Sequence, residues 1–149
     1  MQEWLSKNFN VMRLNLNKGE AHENGNFVGK LLLAHPNLED SDFARSVVLM
    51  TAHTPEQGAM GVILNSPFRK TLGEHEPATQ GDFLRKIPLY RGGPVEPGKV
   101  ILVASKWDVE MSTFKLFFGI NTDRAQQIIN HDPNYQLRGF LGYCGWSMG

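Results

Sequence analysis

Short apolar runs recur along this chain, each ending within a few residues at a proline, a glycine or a polar turn. The runs are too short for buried helices and are rich in β-branched and aromatic residues, a composition that favours strands. The segments with this pattern are 28–34, 43–52, 59–65, 88–91, 98–105, 112–120 and 136–143. We therefore predict strands at these positions.

One segment instead has helical character. Asn121 or Thr122 supplies a cap, Ala125 and Ile128 belong to an apolar stripe, and Pro133 ends the segment. The second and third predicted strands are joined by a short loop with a glycine, which indicates a hairpin. Together these elements predict an α+β fold, with a mixed, largely antiparallel curled sheet of about six or seven strands and few helices.

The length of 149 residues fits one domain. Residues 1–26 are polar and rich in asparagine, so we expect a loosely ordered N-terminal arm before a single domain over residues 27–149. The sequence stops on a turn just after the last predicted strand, and we expect the domain to be truncated at its C-terminus.

Composition excludes several classes of protein. The 15 Lys and Arg residues balance 15 Asp and Glu residues, and this zero net charge argues against direct nucleic-acid binding. The single cysteine excludes an intramolecular disulfide and a multi-cysteine metal site. No apolar run approaches the roughly 20 residues that cross a bilayer, and the N-terminus has no secretory signal pattern. We expect a cytoplasmic protein with no membrane contact, no metal and no cofactor.

Two groups of residues are candidates for a binding surface. Gly92, Gly93 and Pro94 follow Arg91, and glycine N–H groups beside an arginine can form a nest for an anion. The same glycines can equally serve a tight turn before the next strand.

Arg45 and Asn65 form the second group. In a hairpin of the second and third strands both residues lie at one rim, where a guanidinium and an amide can bind a carboxylate or phosphate. The alternative is an arginine paired with Asp40 or Asp42 and an asparagine that caps the turn before Pro67. His53 lies at the other end of the second strand and is the candidate general base of an enzyme.

The order of the sequence motifs is more specific than any one of them. The series is Gly29-x-Leu31-Leu32-x-Ala34-x-Pro36, Phe43-x-Arg45-Ser46-Val47-Val48, a loop His53, Gly58-x-x-Gly61-x-x-x-Asn65-x-Pro67, Gly92-Gly93-Pro94-Val95 and Arg138-x-Phe140-x-Gly142-Tyr143-x-Gly145-Trp146. This series resembles the bacterial YqgE/AlgH family over about residues 27–149.

The resemblance implies a small cytoplasmic α+β domain without an assigned activity. One branch of the family is named as a regulator of alginate synthesis genes. This chain has Ser66 where the family usually has a basic residue, and it ends before the helix that follows the Gly-Trp turn in the family.

Three functions remain open at this point. The first is a non-enzymatic binding or regulatory module that contacts a protein partner or a small anionic ligand through Arg45, Asn65 and Arg91 to Pro94. The second is an enzyme that acts on a small anionic substrate with His53 as general base. The third is a transcriptional regulator, which would require a basic face.

Overall fold

The structure is a computed structural model that describes residues 9–13, 29–38, 43–54, 56 and 58–147, with the backbone alone at 9–13, 53 and 54. Within these residues the chain forms nine strands and three helices. The strands are β1 (Phe9–Arg13), β2 (Lys30–Ala34), β3 (Val47–Thr54), β4 (Gly58–Ile63), β5 (Pro67–Thr71), β6 (Pro88–Arg91), β7 (Val95–Asp108), β8 (Thr113–Ile120) and β9 (Gln136–Trp146). The helices are α1 (Leu72–His75), α2 (Asp82–Arg85) and α3 (Thr122–His131).

The central strand is β9, which pairs with three others. Its first half pairs antiparallel with β7 and parallel with β6, and its last residues pair antiparallel with β4. The sheet continues from β4 through β3 and β2 to β1, from β6 to β5 and from β7 to β8, always antiparallel. The single parallel pair among the described strands is therefore β6 with β9, and the predicted mixed, largely antiparallel α+β fold is confirmed.

The sheet is curled, and its two halves, β1–β4 and β5–β8 on either side of β9, bury apolar side chains against each other on the concave face. Leu49 of β3 and Val62 of β4 pack in one cluster with Ile101, Val103 and Phe140 of β7 and β9. The helices cover the opposite face of β7 and β9, where Leu72, Leu84, Ala125 and Ile128 meet Leu102, Leu137 and Leu141. The curl thus has an inner face between the two halves and an outer face under the helices.

Two strands lie outside the predicted segments. β5 has only one large apolar residue, Phe68, and its burial pattern is mostly exposed, so apolar content gives little signal there. β1 lies within the predicted N-terminal arm and pairs with β2. The remaining residues of that arm, 1–8 and 14–26, lie outside the described residues.

Candidate functional site

Asn65 joins the end of β4 to the start of β3. Its Oδ1 accepts a hydrogen bond from the Val47 amide at 2.8 Å, and its Nδ2 donates to the Arg45 carbonyl at 2.9 Å. Arg45 has a φ of 59°, a left-handed conformation that a non-glycine residue rarely adopts without support. The side chain of Asn65 therefore holds the turn before β3 in place, and its amide already serves the backbone.

Arg91 reaches the same place from β6. Its amide donates to the Ser66 carbonyl at 2.7 Å, which ties the end of β6 to the residue after Asn65. The Arg91 guanidinium lies over the Phe68 ring at 5.4 Å, and the ammonium of Lys70 lies 5.8 Å from the same ring. We call Arg45, Asn65, Ser66 and Arg91 the arginine rim.

The structure brings the two predicted arginines to one rim, and both are exposed. No ion pair involves either of them in the part of the chain that the structure describes. The carboxylates proposed as alternative partners of Arg45, Asp40 and Asp42, lie outside that part. The exposed side chains of Arg45 and Arg91 are therefore candidates to contact an anion.

Gly92 and Gly93 are required by the close approach of two strands. The Gly92 amide donates to the Leu141 carbonyl at 2.8 Å, and its carbonyl accepts from the Ile63 amide at 2.8 Å. A Cβ on Gly92 would lie 2.2 Å from the Gly142 carbonyl oxygen, closer than atoms approach. The Gly92 amide is bound within the sheet and is therefore not available to the predicted anion nest. Gly92 and Gly93 instead allow the chain to pass close beside β9.

His53 lies far from the arginine rim. Its backbone pairs with Ala59 near the loop end of the β3–β4 hairpin, whereas Arg45 precedes the other end of β3. Eight residues of nearly extended chain separate the two by roughly 25 Å. The side chain of His53 lies outside the described part, but this backbone distance already prevents His53 and Arg45 from sharing one cleft.

The groups with shifted pKa values belong to ion pairs near β7, β8 and α3. A hydrogen bond from the Lys106 ammonium, 2.6 Å from Asp132 Oδ2, lowers the pKa of Asp132 below its usual range, helped by the Asn134 amide. The Met111 amide is the main cause that lowers the pKa of Asp108, with Lys115 as a further contact. These pairs fasten elements to one another, which is a structural role.

The described residues contain no group of three or more His, Cys, Asp or Glu side chains placed to hold a metal ion. None of the helices formed by these residues is long and apolar enough to cross a bilayer.

Sequence reasoning missed Phe68, whose ring the Arg91 guanidinium covers, and Lys70, whose ammonium lies over the same ring. The signal available was the basic pair Arg69 and Lys70 directly after Pro67 and Phe68. With β5 unpredicted, nothing in the sequence placed these residues beside β6.

Comparison with known proteins gives consistent matches. The model of the family described as AlgH-like matches residues 31–149. A UPF0301 protein of Chlorobium limicola is 40% identical over 128 residues, which cover 81% of this chain and 66% of that relative. A UPF0301 protein of Thioalkalivibrio sulfidiphilus is 31% identical over 131 residues, which cover 83% and 70% of the two chains.

Two solved structures share the fold. Protein DIP2367 from Corynebacterium diphtheriae matches with a TM-score of 0.61 and 25% identity, over 90% of this chain and 71% of that one. The AlgH protein from Pseudomonas aeruginosa matches with a TM-score of 0.55 and 25% identity, over 80% and 67% of the two chains. The chain spans about two thirds of the length of the curated relatives that it matches.

Proposed function

The chain belongs to the uncharacterised AlgH-like family, and on that premise we propose that it is a non-enzymatic binding module whose arginine rim holds an anionic group of a small ligand or protein partner. The membership confirms the resemblance that the ordered motifs indicated. The cytoplasmic location expected from the sequence is part of the same proposal.

The observation that carries this proposal is that two exposed arginines, Arg45 in the turn before β3 and Arg91 at the end of β6, are anchored through their backbones to the adjacent residues Asn65 and Ser66. Arg45 is held through its carbonyl by Asn65, and Arg91 through its amide by Ser66. A backbone fixed in this way loses little conformational entropy when a ligand binds, which favours affinity. Guanidinium groups bind carboxylate and phosphate through paired N–H donors, and that geometry supports an anionic ligand.

The same geometry does not favour the alternative of an enzyme with His53 as general base. That alternative needs His53 close to the group that holds the substrate, and the β3 strand separates it from Arg45. A binding role requires only the rim itself.

An NMR titration of the ¹⁵N-labelled protein with inorganic phosphate and with acetate tests the proposal. We expect saturable shifts at the amides of Arg45, Ser66 and Arg91. The double variant Arg45→Gln/Arg91→Gln should bind at least about tenfold more weakly, since even one lost charge-assisted pair contributes roughly 1.5 kcal/mol. The matched control is Arg124→Gln, an exposed arginine on α3.

Shifts that never saturate, or an equal loss of affinity in Arg124→Gln, would reject the rim as a site. Shifts centred on His53 instead would favour the enzyme that uses it as general base.

A further inference from the structure

A cavity of about 250 Å³ lies inside the curl of the sheet. Leu31, Leu49 and Val62 form its wall on the β2–β4 side, and Val103, Leu116 and Phe140 form its wall on the β7–β9 side. Most of these side chains belong to the cluster that the two halves of the sheet bury between them. The cavity is therefore set among rigid strands, on the face opposite the helices.

One charged side chain lines this apolar cavity. Arg138 lies two residues before Phe140, so both side chains fall on the same face of β9. Arg138 is half-buried, and its guanidinium lies over the Tyr90 ring at 5.2 Å. Tyr90 in turn packs on Phe140, with 5.7 Å between the ring centroids. The guanidinium is thus held against the cavity wall by stacked rings.

Among the residues that the structure describes, no hydrogen-bond acceptor contacts the N–H groups of Arg138. A guanidinium stacked over an aromatic ring contacts the ring with its flat face. The five N–H donors of the guanidinium point outward in its own plane. Within the described residues Arg138 forms no ion pair. A carboxylate placed at the cavity would bind this guanidinium through two parallel charge-assisted hydrogen bonds.

The volume limits the rest of the ligand. A cavity of about 150 Å³ with an apolar lining takes up benzene. The cavity in this protein has room for a benzene ring and, in addition, for a short linker and a small polar group. A single aryl ring or a short alkyl chain fills its apolar part.

We infer that the cavity binds a small monocarboxylate with one aryl or short alkyl group, its carboxylate on Arg138 and its apolar part between the two halves of the sheet. The hydroxyl of Ser105, which also lines the cavity, is a second donor within the same site. This site shares no residue with the arginine rim, so it stands or falls separately from the proposed function.

The test compares 3-phenylpropanoate with its neutral analogue 3-phenylpropanol, by calorimetric titration and by the NMR shifts of the Leu49, Val62 and Leu116 methyl groups. We expect the wild type to bind the acid at least tenfold more tightly than the alcohol. Arg138→Gln should lower the affinity for the acid at least tenfold and change that for the alcohol by less than threefold. Arg124→Gln, on the outer helix α3, should change neither.

Absence of saturable binding of the acid, equal wild-type affinities for the two compounds, or an unchanged preference in Arg138→Gln would each overturn the inference. If Arg138→Gln lacks the circular dichroism spectrum of the native protein, the acid-to-alcohol ratio of the wild type decides by itself.

Discussion

Gly93 lies where the chain leaving β6 passes beside β9, and the backbone of β9 occupies the space that a side chain would need. A Cβ on Gly93 would lie 2.2 Å from the carbonyl carbon of Tyr143 and 2.6 Å from the amide nitrogen of Cys144. The sequence alone allowed either an anion nest or a tight turn at this glycine. The actual reason is a contact with a strand some fifty positions later in the chain, and no local pattern reports such a contact.

Gly93→Ala should lower the free energy of unfolding by about 2–4 kcal/mol, because backbone atoms of two strands would have to move apart. The matched control is Gly98→Ala in β7, where nothing lies within 4 Å of the added Cβ. That change should alter stability by less than about 0.5 kcal/mol. Urea unfolding of the three proteins measures the difference, and equal midpoints for the two variants would contradict the packing seen around Gly93.

Among the elements, the apolar pattern locates the buried centre of the seven predicted strands more exactly than their polar ends, whereas β1 and β5 have no prediction. The prediction for β6 matches its bounds, and Asn121 caps α3 as expected, its Oδ1 accepting from the Arg124 amide at 2.7 Å. β7 begins earlier than predicted, because Glu96 and Pro97 at its start are exposed and carry no apolar signal, and it ends later, at Asp108. Arg138 was seen only as part of a family motif, since its place beside a cavity depends on how the sheet curls.

The ion pair between Lys106 of β7 and Asp132, directly after α3, gives a prediction about pH. The folded pKa of Asp132 is lowered from 3.8, so its carboxylate stabilises the fold above about pH 4. That contribution is lost as the pH falls through the lowered pKa of the folded protein. Asp132→Asn should therefore be less stable at pH 7 and should lose less stability than the wild type on acidification.

Chemical unfolding at several pH values between 7 and about 2 measures both effects. Glu110→Gln, a change at an exposed carboxylate, is the control and should follow the wild type. A variant at position 132 that runs parallel to the wild type across this range would refute the role of the pair.

For the whole molecule, the decisive feature is that both halves of the sheet share β9. β4 pairs with its last residues, while β6 and β7 pair with its first half. Without β9, β4 in one half and β6 and β7 in the other would each lose a hydrogen-bonded neighbouring strand. The inner apolar cluster also contains residues of both halves. The chain of 149 residues is also within the size range in which single domains unfold cooperatively.

Thermal unfolding should accordingly give one transition, with coincident midpoints for backbone circular dichroism and for the fluorescence of tryptophans in the two halves. Trp107 lies in β7, and Trp146 lies at the end of β9 with its ring stacked on Phe43. Single-tryptophan variants that keep either one separate the two signals. Midpoints that differ by more than the error would show that the halves unfold independently.

Cys144 allows the opening of the strands around β9 to be measured as a reaction rate. It is the only cysteine in the chain, its side chain is fully buried, and its Sγ lies 3.4 Å from the Gly92 carbonyl where β4, β6 and β9 meet. A thiol reagent reaches the sulfur only while those strands are apart. The rate at which the native protein is alkylated therefore reports how often this junction opens, without any added label or engineered residue.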